Sequence, residues 1–411
     1  MKILYVNATP DGYGGSSLYM FWESQALRSL GHEVYLLHAP DRADYTRQFF
    51  NGSLTAQHIF NQRDYFQPKG VKAEEAMITQ FIAEKKIDLL HIHLIPRLEI
   101  LRHWIRSYPV AVTTHVPMCP NGARYHWKNR CACDRQIGLG CLTVGYNKLG
   151  CGFLGNGQPH SLKGFLRSMV ADFWQRCVLR TCDRLIAPSE WMKDRLVRDG
   201  IPDHIISVLN PPVDRLGVEE IDEVSLDPPV ITFVGRVTDF KGADCLLRAS
   251  KYIQSPHQIW IIGTGTKLPE LEELAETLGI ADRITYWGRT APKKVRSLLD
   301  KSTIVTVPSL CPETFCMTGP EAMLSRKPVV AHAVGGIPEW LEDGVTGKLV
   351  PAGDVKALAQ ALEFLLQNPE IAQQMGEAGY QKVSRLAPAQ HSTQLVHIYQ
   401  DVLASAKDKI R

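Results

Sequence analysis

Two carboxylates and two cations form the most informative pattern in this sequence. Glu313 and Glu321 share a short stretch with small and hydroxyl-bearing residues, and Arg236 and Lys241 lie in the upstream segment 235–242. A cationic pair beside a helix N-terminus suits a diphosphate, because backbone N–H groups and the helix dipole also favour an anion there. A carboxylate accepts two hydrogen bonds from neighbouring hydroxyls, as a ribose or hexose would supply. The four residues predict a nucleotide-sugar site that needs no metal to hold the diphosphate.

The elements around these residues favour the same interpretation. The cationic segment closes the apolar run 230–234 and leads into a predicted helix that begins near Ala243. Glu313 follows the apolar run 303–307, and Glu321 lies near the start of the next helix. Open parallel sheets bind ligands at the carboxyl ends of their strands. The pattern therefore places both pairs at the ligand-binding edge of one sheet.

Apolar runs alternate with helical patterns along the whole chain, which predicts the α/β class with parallel sheets. The predicted strands are 2–7, 33–37, 87–93, 110–114, 184–187 and 205–208, then 230–234, 258–262, 284–287, 303–307 and 328–331, with a helix over about 16–30. Prolines and acids in 210–229 indicate a linker. We expect domains over 1–212 and 213–387, with a final helix over 388–411.

Length and composition fit this division. The chain has 411 residues, enough for two domains, and its formal net charge of +3 is too small to indicate an anionic partner for the whole molecule. The apolar N-terminal run is too short for a secretory signal, and no stretch is apolar enough to cross a bilayer. We therefore expect a cytoplasmic location, where thiols are reduced.

Further segments point to a known family when they are taken in order. They are Gly14-Gly15, 88–93 (Asp-Leu-Leu-His-Ile-His), 113–115 (Thr-Thr-His), 187–190 (Ala-Pro-Ser-Glu), 210–214 (Asn-Pro-Pro-Val-Asp), 263–265 (Gly-Thr-Gly) and 334–339 (Val-Gly-Gly-Ile-Pro-Glu). Together with the charged residues, they resemble the retaining, nucleotide-sugar-dependent glycosyltransferases of the fourth sequence family, the glycosyl transferases group 1. One departure is Cys316, where that family usually has glycine.

The resemblance implies a GT-B architecture, with two Rossmann-like domains facing across a cleft and the last helix returning toward the N-terminal domain. It implies transfer of a hexose-like unit from a UDP- or GDP-sugar to a hydroxyl of a glycan or lipid-linked acceptor, in polysaccharide or glycolipid biosynthesis. By resemblance the catalytic residues are Arg236, Lys241, Glu313 and His115. The donor-binding residues are Gly14, Gly15, Gly235, Gly263, Gly265, Thr314, Phe315, Cys316, Met317, Thr318 and Glu321. No cofactor is expected, and no Asp-x-Asp occurs to indicate a metal-dependent donor site.

Several alternatives stay open at this stage. A sugar-nucleotide 2-epimerase has the same architecture, and the chain could instead be a non-catalytic, nucleotide-binding partner of a transferase. Taken singly, Arg236 and Lys241 could be surface cations, and Glu321 an acid favoured by a helix dipole. Gly14 and Gly15 could form a plain tight turn, and His115 could be a structural histidine.

The insertion over 117–160 is the least ordinary segment, because it is rich in cysteine, basic and aromatic residues. Such a segment could bind an anionic acceptor or a membrane surface, which would make the protein peripheral at the inner face of the membrane. An ordinary solvated loop is the alternative. Zinc on Cys119, Cys131, Cys133 and Cys141 is a further hypothesis, although Cys131 and Cys133 lack the usual two-residue gap.

Overall fold

The computed structural model describes the chain except residues 8–14, 40–48, 61–69, 147, 153–160, 216, 218, 221–223 and 407–411, and the side chain of Ser16. Its contacts group the chain into two compact units. The first unit contains Met1–Pro117, Val170–Pro212 and Leu386–Arg411, and the second contains Met118–Met169 and Val213–Arg385. No helix in the described ranges is long and apolar enough to span a bilayer.

The first unit is built on a parallel sheet of seven strands in the order β3-β2-β1-β4-β5-β8-β9. The strands are β1 (Lys2–Val6), β2 (Glu33–His38), β3 (Gly52–Thr55), β4 (Leu89–Ile92), β5 (Val110–Thr113), β8 (Arg184–Ala187) and β9 (Ile206–Val208). Its helices are α1 (Gly15–Ser29), α2 (Val71–Lys85), α3 (Leu98–Ser107), α5 (Glu190–Arg198) and α13 (Pro388–Ser405). The central strands are mostly apolar and almost entirely buried, because helices cover both faces of a parallel sheet.

The second unit contains a parallel sheet of six strands in the order β12-β11-β10-β13-β14-β15. The strands are β10 (Val230–Val234), β11 (Gln258–Ile262), β12 (Ile284–Gly288), β13 (Ile304–Val307), β14 (Val329–His332) and β15 (Gly347–Val350). Its helices are α6 (Ala243–Ser250), α7 (Leu268–Leu278), α8 (Pro292–Lys301), α9 (Thr318–Leu324), α10 (Ile337–Trp340), α11 (Val355–Gln367) and α12 (Pro369–Val383). Strands β10 and β13 are neighbours, with Phe233 opposite Thr306, so the loops that follow them lie side by side.

The remaining elements lie in or beside the cysteine-rich segment. They are the antiparallel hairpin β6 (Tyr125–His126) and β7 (Cys131–Ala132), a π-helix (Cys141–Tyr146) and helix α4 (Leu162–Leu179). We expected this segment in the N-terminal domain, but its contacts group Met118–Met169 with the second unit. Tyr125 is fully buried in the second unit's core beside Phe240, and Arg130 pairs with Asp244 at 2.8 Å.

The strands predicted from apolar runs all occur within two residues of their expected ends. Two edge strands were missed, β3 with the sequence Gly-Ser-Leu-Thr and β15 with Gly-Lys-Leu-Val. Each is short and begins with glycine, and β3 alternates between exposed and half-buried residues. Such sequences lack the apolar run that marks a central strand.

Candidate functional site

Lys241 and Glu313 form the ion pair at the centre of the candidate site. Lys241 Nζ lies 2.6 Å from Glu313 Oε1, and the Ser309 hydroxyl donates to the same oxygen at 2.6 Å. Burial alone would raise the pKa of Glu313, but the Lys241 ammonium, the two hydrogen bonds and the Arg236 charge hold it below its ordinary value. Burial opposes the charged form of Lys241, yet Glu313 raises the pKa of Lys241. Both groups are therefore charged at neutral pH.

Backbone contacts hold the two loops of this pair together. The Leu310 N–H donates to Phe240 O at 2.8 Å, which joins the loop after β13 to the loop after β10. Gly242 has φ +70°, and a Cβ there would lie 1.9 Å from Pro308 O. Only glycine fits this conformation and this close approach. Lys241 is thus placed by the backbone and not by its flexible side chain alone.

Arg236 lies in the same loop and is exposed. Its guanidinium carbon stands 5.8 Å from the centre of the Phe240 ring, and its charge contributes to the lowered pKa of Glu313. Phe240 in turn contacts the rings of Tyr125 and Trp127, with centroid distances of 6.4 and 6.1 Å. The cysteine-rich segment therefore supports the ring on which Arg236 rests.

Glu321 lies in the first turn of α9 and is partly buried. Burial raises the pKa of Glu321 to about 7, and the nearby Arg296 only partly offsets this effect. Glu321 N–H donates to Met317 O at 2.9 Å, which fixes the start of the helix. The charge of this carboxyl thus changes near neutral pH, unlike that of Glu313.

The segment from Thr314 to Thr318 connects Glu313 to α9. Phe315 is buried, and its carbonyl accepts a hydrogen bond from Trp340 Nε1 at 2.6 Å, whereas Thr314, Met317 and Thr318 are partly buried. Cys316 has φ +68°, so the chain keeps at this position the left-handed conformation that favours glycine. Burial, and then the charge of Glu313, raise the pKa of the Cys316 thiol, which is neutral as a result.

Three glycines of the predicted donor site have a packing role. A Cβ on Gly263 would lie 2.0 Å from Gly235 O, and one on Gly265 would lie 2.2 Å from Val237 O. The Gly235 N–H donates to Ile262 O at 2.9 Å, and the Val237 N–H donates to Thr264 O at 3.0 Å. The loop after β11 therefore packs directly against the loop that carries Arg236. Contact between these glycines and the donor stays a prediction.

The site residues predicted in the first unit are less informative. Gly15 is exposed at the start of α1, and Gly14 lies outside the described residues. His115 follows β5, and its Nε2 lies 3.2 Å from His93 Nδ1. Burial and the neighbouring His93 lower the pKa of His115 to about 3. His115 is consequently a neutral hydrogen-bonding group, and its catalytic role stays a prediction.

A buried polar cluster beside His115 was not predicted. Glu23 on α1 accepts from the Tyr5 hydroxyl at 2.7 Å, and its other oxygen lies 2.8 Å from His391 Nε2 on α13. His391 Nδ1 donates to the Asn210 carbonyl at 2.8 Å. Burial would raise the pKa of Glu23, but the surrounding imidazoles and their hydrogen bonds lower it well below its ordinary value. Glu23 is therefore ionised, and both ring nitrogens of His391 face oxygen acceptors.

The rest of this cluster ties α13 to the sheet. His91 Nδ1 lies 2.6 Å from the Tyr399 hydroxyl, and His91 Nε2 lies 2.7 Å from Thr113 Oγ1. Glu23, His91 and His93 also have ligand atoms close enough to hold a metal ion, the one such group in the described part of the chain. Two of these residues already use those atoms to bind Tyr5 and Tyr399. Their role in this arrangement is to hold the helix.

The predicted zinc site on Cys119, Cys131, Cys133 and Cys141 is not supported. The Cys119 thiol donates to Asn121 Oδ1 at 3.0 Å, Cys131 Sγ lies 3.6 Å from His126 Nδ1, and Cys141 Sγ lies 3.9 Å from Gln136 O. Cys119, Cys131 and Cys141 thus have separate local partners, and the four predicted ligands do not form a metal-binding group among the described residues.

Some site residues were missed by the sequence reasoning. Ser309 holds Glu313, Gly336 N–H donates to Glu313 O at 2.8 Å, and Trp340 holds Phe315. Gly336 lies in the segment 334–339, one of the segments that resemble the family. That resemblance indicated that Gly336 is important, but not that it contacts Glu313. Ser309 and Trp340 gave none, because a single serine or tryptophan is common in any loop or helix.

Two family models match this chain. The model "Glycosyl transferases group 1" matches residues 219–382, which include Arg236, Lys241, Glu313 and Glu321. The model "Glycosyltransferase Family 4" matches residues 13–215. The chain belongs to the group 1 glycosyltransferases. The resemblance inferred from the motifs is confirmed.

Curated relatives of this chain match only part of its length. D-inositol 3-phosphate glycosyltransferase of Corynebacterium kroppenstedtii is 33% identical over 248 residues, which cover 55% of this chain and 55% of that protein. The chain thus spans about half the length of the curated relatives it matches.

Solved structures match over nearly the whole chain. Sucrose-phosphate synthase of Thermosynechococcus elongatus has a TM-score of 0.74 at 19% identity, over 98% of this chain and 99% of that one. The Anabaena protein HepE, solved in complex with UDP-glucose, has a TM-score of 0.72 at 19% identity, over 97% and 99%. The predicted GT-B fold is confirmed by these neighbours.

Proposed function

We propose that this glycosyltransferase moves a hexose-like unit from a UDP- or GDP-sugar to a hydroxyl of a glycan or lipid-linked acceptor, with retention at the anomeric carbon. The pathway would be the biosynthesis of a polysaccharide or glycolipid. The Lys241–Glu313 pair with the adjacent exposed Arg236 carries the proposal, since two cations and one carboxylate leave net positive charge beside α6. A UDP-sugar is the preferred donor, because HepE binds UDP-glucose in a similar fold.

In the proposed reaction the bond between the anomeric carbon and the diphosphate breaks, and the acceptor oxygen bonds to that carbon on the same face. The leaving phosphate takes the acceptor proton. Lys241 and Arg236 stabilise the negative charge that develops on the diphosphate, which commonly contributes a factor of about 10²–10³ in rate for each preorganised donor. Glu313 orients Lys241 and the hydroxyls of the sugar. Glu321 accepts hydrogen bonds from the ribose hydroxyls.

The test begins with donor identity. The full chain is titrated with UDP-glucose, other UDP-sugars and GDP-sugars, and thermal stability is recorded, because a ligand at 100 times its Kd adds about 2.7 kcal/mol. The stabilising donor is then incubated with candidate acceptors. We expect acceptor-dependent release of the nucleoside diphosphate and a product whose anomeric configuration, read by NMR coupling constants, matches that of the donor.

Each alternative gives a different result in the same experiment. Epimerised nucleotide sugar formed without an acceptor indicates the 2-epimerase. Nucleotide binding with no turnover for any donor and acceptor indicates a non-catalytic partner. An inverted anomeric configuration would disprove retention but leave the donor site in place. Unchanged turnover in both Lys241→Ala and Arg236→Ala would contradict the assignment of these residues.

A further inference from the structure

Helix α4 exposes an unusual amount of apolar surface. Of the fifteen large apolar side chains that are exposed in the described residues, five lie on this one helix. They are Leu162, Leu166, Val170, Phe173 and Trp174, with between 41% and 57% of each residue accessible. Isolated exposed apolar residues are ordinary, but a contiguous row marks an interaction surface.

The row follows the geometry of a single helix. At 100° per residue, the five side chains fall within an arc of about 120° on one face of α4. Phe165 and Leu179, which lie toward the opposite face, are 1% exposed and pack into the protein. Because α4 is one continuous helix, these relative positions depend only on helical geometry. We call the five exposed side chains the α4 stripe.

The charges beside the stripe have one sign. Lys163 and Arg167 are the exposed charged residues of α4, and they lie along one margin of the stripe. The helix contains one acid, Asp172, which is buried and pairs with Arg176 at 3.2 Å. The exposed face of α4 therefore offers apolar and cationic groups and no carboxylate.

We propose that the α4 stripe docks on the surface of an anionic lipid bilayer. A helix with Leu, Phe and Trp on one face and basic residues at its margin lies in the plane of a membrane interface, with the apolar groups at the boundary of headgroups and acyl chains. Lys163 and Arg167 are attracted by the negative surface potential of such a bilayer.

Vesicle flotation of the full chain tests this surface. Vesicles of phosphatidylcholine with about 30% phosphatidylglycerol are compared with phosphatidylcholine alone, at 0.15 and 0.5 M salt. We expect binding to the anionic vesicles that weakens at the higher salt. The double variant Lys163→Gln/Arg167→Gln should bind these vesicles about 30-fold more weakly, from roughly a factor of five per charge. The double variant Phe173→Ser/Trp174→Ser should lose at least about tenfold on either vesicle.

The matched control is Leu226→Ser/Tyr252→Ser, which removes side chains of similar exposure, 46% and 52%, from other surfaces. Its vesicle binding should equal that of the unmodified chain. If the aromatic variant does not fold, Leu166→Gln and Val170→Gln test the same stripe singly. Failure of the unmodified chain to bind anionic vesicles, or equal losses in the control, would overturn the proposal. So would light scattering that shows an oligomer dissociated by Phe173→Ser/Trp174→Ser without a change in vesicle binding.

Discussion

Two carboxylates in this chain, one in each unit, differ in their exposure and in their partners. In the first unit, Glu23 pairs with His391, and both side chains are 2% exposed or less. In the second unit, Glu313 pairs with Lys241, and their side chains are 12% and 21% exposed. Glu23 lies on helix α1 and contacts Tyr5 of β1, whereas Glu313 lies in the loop after β13.

Hydrogen-bond saturation and exposure distinguish the two carboxylates. The oxygens of Glu23 are taken by Tyr5 and His391 inside a buried cluster. Glu313 faces Lys241 and Arg236, so one positive charge is left over, on an exposed side chain. A buried, saturated cluster stabilises the fold, whereas a partly exposed cluster with excess charge can bind a ligand of opposite sign.

The largest expected effect is on the buried cluster. His391→Leu leaves the buried Glu23 carboxylate without one of its hydrogen bonds, which should cost about 3 kcal/mol or more of stability because the group is charged. Hydrogen exchange of the β1 and β4 amides, followed by mass spectrometry, measures this loss in the first unit. The double variant Glu23→Met/His391→Leu should lose less than the sum of the single variants. Strictly additive losses would contradict a direct interaction between the two side chains.

The second effect is on catalysis by the other cluster. Lys241→Ala and Arg236→Ala should each lower turnover by about 10²–10³, because each removes a charge that stabilises the leaving diphosphate. Arg236 is exposed, so its removal should change stability by no more than about 0.5 kcal/mol. Lys267→Ala, which removes a surface lysine from the start of α7, is the control and should keep full turnover. If Arg236→Ala failed to fold, the expectation that this cluster affects turnover and not stability would be contradicted.

Donor binding should depend on pH through Glu321. With a pKa of about 7, this carboxyl is mostly ionised at pH 8 and mostly protonated at pH 6. If only the ionised form accepts both ribose hydroxyls, the Kd of the nucleotide should rise about tenfold from pH 8 to pH 6. Glu321→Gln should bind weakly at both pH values. Titration calorimetry across this range checks it, and an unchanged profile in the variant would assign the dependence to another group.

Ionisation of the same carboxyl should favour nucleotide binding but lower the stability of the fold. Its pKa in the folded protein is above the value of 4.5 expected without burial, so the folded state holds the proton more tightly. The stability it contributes is complete below pH 4.5 and declines as pH rises through about 7. Glu321→Gln should therefore raise the unfolding temperature at pH 8 and leave it nearly unchanged at pH 4.5. A destabilised variant at pH 8 would contradict this sign.

The smallest effect concerns Cys316. A side chain at φ +68° costs roughly 1–2 kcal/mol, and glycine avoids this cost but adds freedom to the unfolded chain. Cys316→Gly should gain up to about 1 kcal/mol and keep donor binding, as measured by thermal unfolding with and without UDP. Cys316→Ala, which retains a Cβ, is the matched control and should show no gain.

Much of the second unit was predictable from sequence. Val230–Val234 and Gln258–Ile262 are continuous apolar runs, and the structure has strands with those bounds. Arg236, Lys241 and Glu313 follow such strands, so the rule that ligands bind at carboxyl ends was enough to predict their proximity. The edge strands β3 and β15 were not predicted, because a short strand with glycine and polar residues has no distinctive pattern of apolar residues.

The cysteine-rich segment shows where sequence reasoning failed. The abundance of cysteine suggested a metal site, but the thiols contact separate partners such as Asn121 and His126. Proximity in sequence to β5 suggested the first domain, but Tyr125 packs beside Phe240 in the second. Long-range packing of an irregular segment depends on the shape of both surfaces, which no local pattern encodes.

The sequence by itself determined the family, the alternating elements and the residues that could bind a nucleotide sugar, because periodicity and motif order are local properties. Only the tertiary structure decided which charges are neutralised. Glu23 meets His391 across 368 positions of sequence, and Lys241 meets Glu313 across 72. The protonation of each group depends on its burial and its partners, and both arise only when distant segments pack together.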